Sequence, residues 1–169
     1  MGFLPILRQL PLRLELRIAV KRSLRHLCNR ASIGWLHKSK IVRFHASSSS
    51  NGLIHPFAAG HWAPEMVALA GGQEVLGQAG EKSFRVTWQQ VIDAQPDVIL
   101  IAPCGYSQEQ ATAEWAALAK PEGWGEIPAV QHNRIYALDA NSYCSRPAPR
   151  VVDGIEQLAM LLHPTLVSA

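Results

Sequence analysis

Four places in this chain carry residues suited to chemistry, and each also has a plain structural reading. Cys104 stands in Pro103-Cys104-Gly105-Tyr106, directly after an aliphatic run and ahead of a helix signal. A thiol on such a strand-to-helix turn gains thiolate character from the helix N-terminus and could serve as a nucleophile. No motif ties it to His61, His132 or His163, so a small packed turn residue is the competing reading. His61 could ligate a metal, but no second ligand stands at helical spacing, and a hydrogen-bonded imidazole accounts for it equally. Asn141, Tyr143, Ser145 and Arg146 form a polar, aromatic loop that could hydrogen-bond a large ligand or simply lead into the next helix past Pro147 and Pro149. Trp62 lies at the mouth of a short helix, where its ring either faces a ligand or packs under a neighbouring loop.

Several chemistries have no support. There is no GxGxxG, GxxxxGKS or GxSxG, which removes dinucleotide, P-loop and hydrolase-elbow readings. The three cysteines Cys28, Cys104 and Cys144 show no CxxC or Cys/His zinc spacing. A Cys104–Cys144 disulfide is compatible with the sequence, and free thiols are the reading preferred. No catalytic or metal-binding set is expected.

The elements that must position these residues follow from pattern. Pro64 suits the first turn of a helix, Met66, Val67, Leu69 and Ala70 give it an apolar side, and Gly71-Gly72 stop it. Thr87 caps a helix over 88–94, and Ser107 caps another running to about Ala119. Val98-Ile99-Leu100-Ile101-Ala102 has the composition of a strand buried on both faces of a parallel sheet. Arg134 to Leu138 makes a second strand, residues 139–147 a loop, and Val151, Val152, Ile155, Leu158, Ala159 and Leu162 line the buried side of a last helix. Residues 74–83 read as Gly-rich and irregular, and Lys40 to Phe44 as a short strand. Strand–helix alternation with short loops implies a parallel α/β sheet, whose ligands lie beyond the carboxyl ends of the strands. Two loops qualify, 104–107 and 139–146.

Charge divides the chain. Residues 1–50 hold ten Lys/Arg against the single acid Glu15, while residues 51–169 hold six against twelve acids. An acidic body argues against nucleic acid as a partner. Hydrophobic content of 48% suffices for a core, and no uncharged apolar run has the length of a membrane span. The break at the Ser47–Ser50 run predicts two parts: a basic amphipathic extension over 1–50, dispensable for folding, and a folded lobe over 51–169. The extension reads as an organelle-transit-like segment, a membrane-surface helix or an upstream stretch translated ahead of a truncated domain. It is no secretory signal, because arginines interrupt its apolar residues.

Four blocks resemble one family. They are 56–72 (Pro-Phe-Ala-Ala-Gly-His-Trp through Gly71-Gly72), Gln95-Pro96-Asp97-Val98-Ile99, Pro103-Cys104-Gly105-Tyr106 and 145–150 (Ser-Arg-Pro-Ala-Pro-Arg). In order and spacing they resemble the C-terminal lobe of cobalamin-type periplasmic binding proteins, the substrate-binding components of ABC importers for cobalamin and ferric siderophores. The resemblance spans about residues 53–164. It implies a three-layer, Rossmann-like α/β lobe with a mostly parallel sheet, one half of a two-lobe clamp that closes on its ligand. It implies a non-catalytic corrinoid-binding lobe, with Trp62, His61, Cys104, Tyr106, Asn141, Tyr143 and Arg146 toward the ligand. Cobalamin enters as ligand rather than cofactor, and importer membrane subunits as partners. The first lobe and the helix that links it have no counterpart by this reading. The acidic residue that usually docks on the importer falls at Ala68, with Glu65 one turn earlier as its substitute. The family's compartment is periplasmic, in contrast to the transit-like N-terminus. Competing readings are an interaction or scaffold remnant that binds no small molecule, a ferric-siderophore binder and a cysteine-dependent enzyme.

Overall fold

The computed structural model describes residues 39–48, 54–145 and 150–164. Six strands form one sheet: β1 (Lys40–Ser48), β2 (Ile54–Ala58), β3 (Gln73–Glu74), β4 (Phe84–Arg85), β5 (Val98–Ile101) and β6 (Ile135–Ala137). Their order is β4-β2-β1-β5-β6, with β3 added beside β1. β1, β5 and β6 run parallel, as does β3 with β1, whereas β2 pairs antiparallel with β1 and β4. The α/β lobe with a mostly parallel sheet is therefore observed.

β5 is the spine of this arrangement. Val98, Ile99, Leu100 and Ile101 are all buried, as a continuous aliphatic run between two helix layers requires. The pleat divides them. Val98 and Leu100 join a core with α1 (Ala63–Leu69), α5 (Ala140–Tyr143) and α6 (Val151–Leu162). Ile99 and Ile101 face a second core holding Val91 of α2 (Trp88–Ala94), Ala111 of α3 (Gln108–Ala117) and Ala129 of α4 (Pro128–Gln131). Trp124, in a Gly/Pro-rich connection, is buried in this second core, with Trp88 edge-on and Trp115 tilted against it, each at 5.5 Å between ring centres.

Local signals set the helix ends. Thr87 and Gln90 form a reciprocal capping box at α2, and Ser107 and Gln110 do the same at α3. α1 ends in a Schellman turn: Gly72 N–H donates to Val67 O and Gly71 N–H to Ala68 O, with Gly71 at φ +89°.

Three differences from the sequence reading have physical causes. β1 lies inside the sheet and pairs with β2, β3 and β5, and Ile41 and Val42 are fully buried. The lobe thus includes Lys40–Ser48, so a boundary at residue 50 is too late; composition marked the charge break, and hydrogen bonding ignores it. The nature of residues 1–38 lies outside the described residues. β2 is not among the strands read from the sequence, and it contains Pro56, a residue disfavoured inside a sheet. It is tolerated because the β2–β4 ladder covers only Phe57 and Ala58; the Pro56 carbonyl still accepts from Val86 N–H at 2.9 Å. Finally, the 139–147 loop contains a one-turn helix, α5, capped by Asp139, whose carboxylate accepts from Ser142 N–H and Oγ–H.

Candidate functional site

The parallel register carries the loops after β5 and β6 to the same end of the sheet, beside the turn between β2 and α1. Pro103–Ser107 leaves β5, while 138–145 leaves β6, and Asn141 N–H donates to Tyr106 O at 3.1 Å to tie the two loops. A second tie runs from Gly105 N–H to Ser145 Oγ at 3.1 Å. The turn between β2 and α1 completes the site through Trp62, whose indole Nε1–H donates to Cys144 O at 3.0 Å. Trp62 is half-buried, packed along one edge on the first core.

The Gly60-His61 turn is clamped from below by residues 80–83. His61 N–H donates to Glu81 O, Gly80 N–H to His61 O and Gly60 N–H to Ser83 Oγ. Here only glycine fits, since a Cβ at position 60 would lie 2.5 Å from backbone atoms of Glu81, Lys82 and Ser83. His61 adopts a left-handed φ of +57°, uncommon for a side chain of this size. Its ring lies 5.8 Å from the Trp62 ring, tilted by 41°. A cavity of about 70 Å³ sits among these pieces, lined by His61, Trp62, Ser83, Cys104, Cys144 and Ser145. That volume holds a few waters and no large ligand, so a broad ligand would lie across the open face rather than inside.

The expected site residues separate accordingly. His61, Trp62 and Cys104 come together around one cavity, although they are distant in sequence. Asn141 is exposed on α5 beside the Tyr106 loop. Tyr106 is turned toward α3: the Glu114 carboxylate, by hydrogen bond first and by charge second, raises its phenol above the usual range. Tyr143 lines a different and larger groove of about 820 Å³, with Glu109, Trp115, Tyr136 and Met160. It is adjacent to Cys144, but the helix ends at Tyr143 and Cys144 leaves helical geometry as its C-cap, so the two residues line different cavities. Arg146 lies outside the described residues. Glu65 is half-buried in the first turn of α1, and Ala68 is exposed one turn later. Ser83 escaped the sequence reading because its stretch looked irregular; the signal was the Gly60-His61 pair, which needs a close backbone neighbour. Cys104 is exposed and shares the cavity with His61, yet among the described residues no hydrogen bond joins them.

The profile of the periplasmic binding protein family matches residues 20–142. The chain belongs to the periplasmic binding protein family. The match begins within the basic stretch, so family likeness reaches residues that composition sets apart. A vitamin B12-binding protein of Vibrio cholerae is 29% identical over 121 residues, covering 72% of this chain and 40% of the relative. Among solved structures, a periplasmic binding protein from Veillonella parvula superposes with a TM-score of 0.66 at 20% identity, covering 89% of this chain and 50% of that one. The periplasmic vitamin B12-binding protein BtuF of Vibrio cholerae gives 0.59 at 21%, over 88% and 52%. The heme-binding protein BhuT in complex with two hemes gives 0.61 at 22%, over 90% and 55%. The chain thus spans about 40% of that curated relative and about half of each solved neighbour. The vitamin B12- and heme-binding proteins among them are named for ligands they bind and not for reactions they catalyse.

Proposed function

We propose that this lobe is one half of a substrate-binding protein that presents a corrinoid to an ABC importer. The observation that carries the reading is Trp62, an aromatic ring fixed by its Nε1–H on Cys144 O at the open end of the sheet, beside a strained, clamped His61. A corrin is broad and mostly apolar with polar amide fringes, and a half-exposed indole flanked by hydrogen-bonding loops suits it. Fold likeness alone does not separate corrinoid from heme, because BtuF and BhuT superpose about equally well. Sequence likeness favours the corrinoid, through the 29% identity to a vitamin B12-binding protein. His61, Cys104 and Asn141 border the same face; Tyr106 and Tyr143, turned toward α3 and the larger groove, are secondary, and Arg146 joins by family resemblance. Glu65 on α1 is the docking contact for importer membrane subunits, and the periplasm is the compartment of action. Among the described residues no helix is long and apolar enough to cross a membrane.

The test is a titration of the lobe with hydroxocobalamin and, in parallel, hemin, read by tryptophan fluorescence and ligand absorbance. Saturable binding of hydroxocobalamin is expected, with Trp62→Ala weakening it about five- to a hundredfold, the loss of roughly 1–3 kcal/mol of aromatic contact. Preference for hemin would reassign the ligand. A folded lobe that binds neither would leave the scaffold reading.

A further inference from the structure

Cys104 and Cys144 belong to different loops, and no spacing motif links them. The fold nevertheless delivers both to the cavity beside Trp62. Cys104 is exposed on the loop after β5, while Cys144 is buried at the end of α5, and both carry reduced thiols. The residues that follow them are already joined, Gly105 N–H to Ser145 Oγ at 3.1 Å. Gly105, next to Cys104, has a left-handed φ of +80° and open space where a Cβ would stand. The Cys144 side, in contrast, is held in place by the Trp62 indole on its carbonyl. One thiol is exposed and the other is buried at the same cavity.

We propose that Cys104 and Cys144 are a redox pair that a small-molecule disulfide converts to an intramolecular disulfide across the cavity at the edge of Trp62. The exposed thiol reacts first. Cys104 thiolate attacks one sulfur of oxidised glutathione, the glutathione S–S bond breaks, and one glutathione leaves as a thiolate that takes up a proton. Cys144 gives its proton to solvent and attacks the Cys104 sulfur of the mixed disulfide, expelling the second glutathione. Two protein thiols are oxidised and one glutathione disulfide is reduced to two thiols. The pairing stands independently of whether the lobe binds a corrinoid.

The experiment incubates the full chain with oxidised glutathione, blocks remaining thiols with iodoacetamide and maps non-reduced tryptic peptides by mass spectrometry. Arg134, followed by Ile135, lies between the two cysteines, so trypsin separates their peptides. The expected result is a Cys104–Cys144 linked peptide, loss of both thiols to alkylation, and recovery of both on adding reductant. Cys144→Ser should stall at Cys104 carrying glutathione. Performed in denaturant, the same oxidation should lose this selectivity, since Cys28 then competes for both. Persistent glutathione on Cys104 with Cys144 still alkylated in the wild-type chain would overturn the proposal, as would a native preference for Cys28 in either linkage.

Discussion

The Gly60 position shows how much a single missing methyl group can decide. The 80–83 backbone lies where its Cβ would be, and three hydrogen bonds then hold His61 in its left-handed turn beside Trp62. Gly60→Ala must push that loop away, at a cost of about 1–3 kcal/mol. Gly105→Ala makes a useful contrast, because its added Cβ meets open space and only the left-handed backbone objects, at about 1 kcal/mol. Denaturant unfolding should therefore rank Gly60→Ala below Gly105→Ala in stability. Equal midpoints would show that the 80–83 loop yields freely and clamps nothing. The two tryptophans make the same point about neighbours. Trp124 and Trp62 both follow a glycine closely in sequence, yet two other indoles converge on Trp124 in the core whereas Trp62 stands half out at the strand ends.

At the scale of elements, the helices of the first core are joined at their ends as well as along their sides. α6 packs close on α5 because Gly154 lets Tyr143 approach, a Cβ there meeting Tyr143 O at 3.0 Å. At the other end of α6, His163 Nε2 lies 3.2 Å from Ala70 O at the end of α1. Burial pushes the His163 imidazole below its ordinary 6.5, helped by the Arg134 charge and opposed by the Ala70 carbonyl. The unfolded chain therefore takes up this proton first as pH falls. The contribution of His163 is present above about pH 6.5 and is lost as pH drops through the lower folded value. His163→Gln keeps a donor for Ala70 O without titrating. Melting temperature should fall less steeply with acidification between about pH 7 and 5 in this variant than in the wild type. Parallel slopes would mean that His163 titrates as in the unfolded chain.

For the whole molecule, β1 is the element without which there is no sheet. It is the centre strand, bordered by β5 on one edge and by β3 and β2 along the other, and it places Ile41 in one core and Val42 in the other. Losing two fully buried aliphatic residues costs about 2–5 kcal/mol each, before any ladder is counted. That approaches the whole stability of a domain, about 5–15 kcal/mol. Deletion of residues 1–50 should accordingly abolish the cooperative thermal transition seen by calorimetry. Ile41→Ala should keep the transition and lower stability by about 2–5 kcal/mol. A truncated lobe that still melts sharply would show β1 to be replaceable.

What the sequence determined by itself was local and periodic: the β5 run, the capping boxes at Thr87 and Ser107, the Pro64-to-Gly71 helix, the apolar stripe of α6, and the four blocks that point to the family. Each of these signals is complete within one turn, one cap or one strand, so propensity and burial suffice to read it. Only the tertiary structure decided what those elements enclose. β1 joined the sheet because its backbone had partners on both edges, whatever charge its flanks carried. Trp62 met Cys144 across 82 residues because antiparallel β2 and parallel β5 both end at the level of Phe44 of β1. Tyr143, adjacent to that cysteine, turned into another groove because the helix ends at Tyr143 and Cys144 leaves helical geometry as its C-cap. Register is a relation between segments, and no single segment contains it.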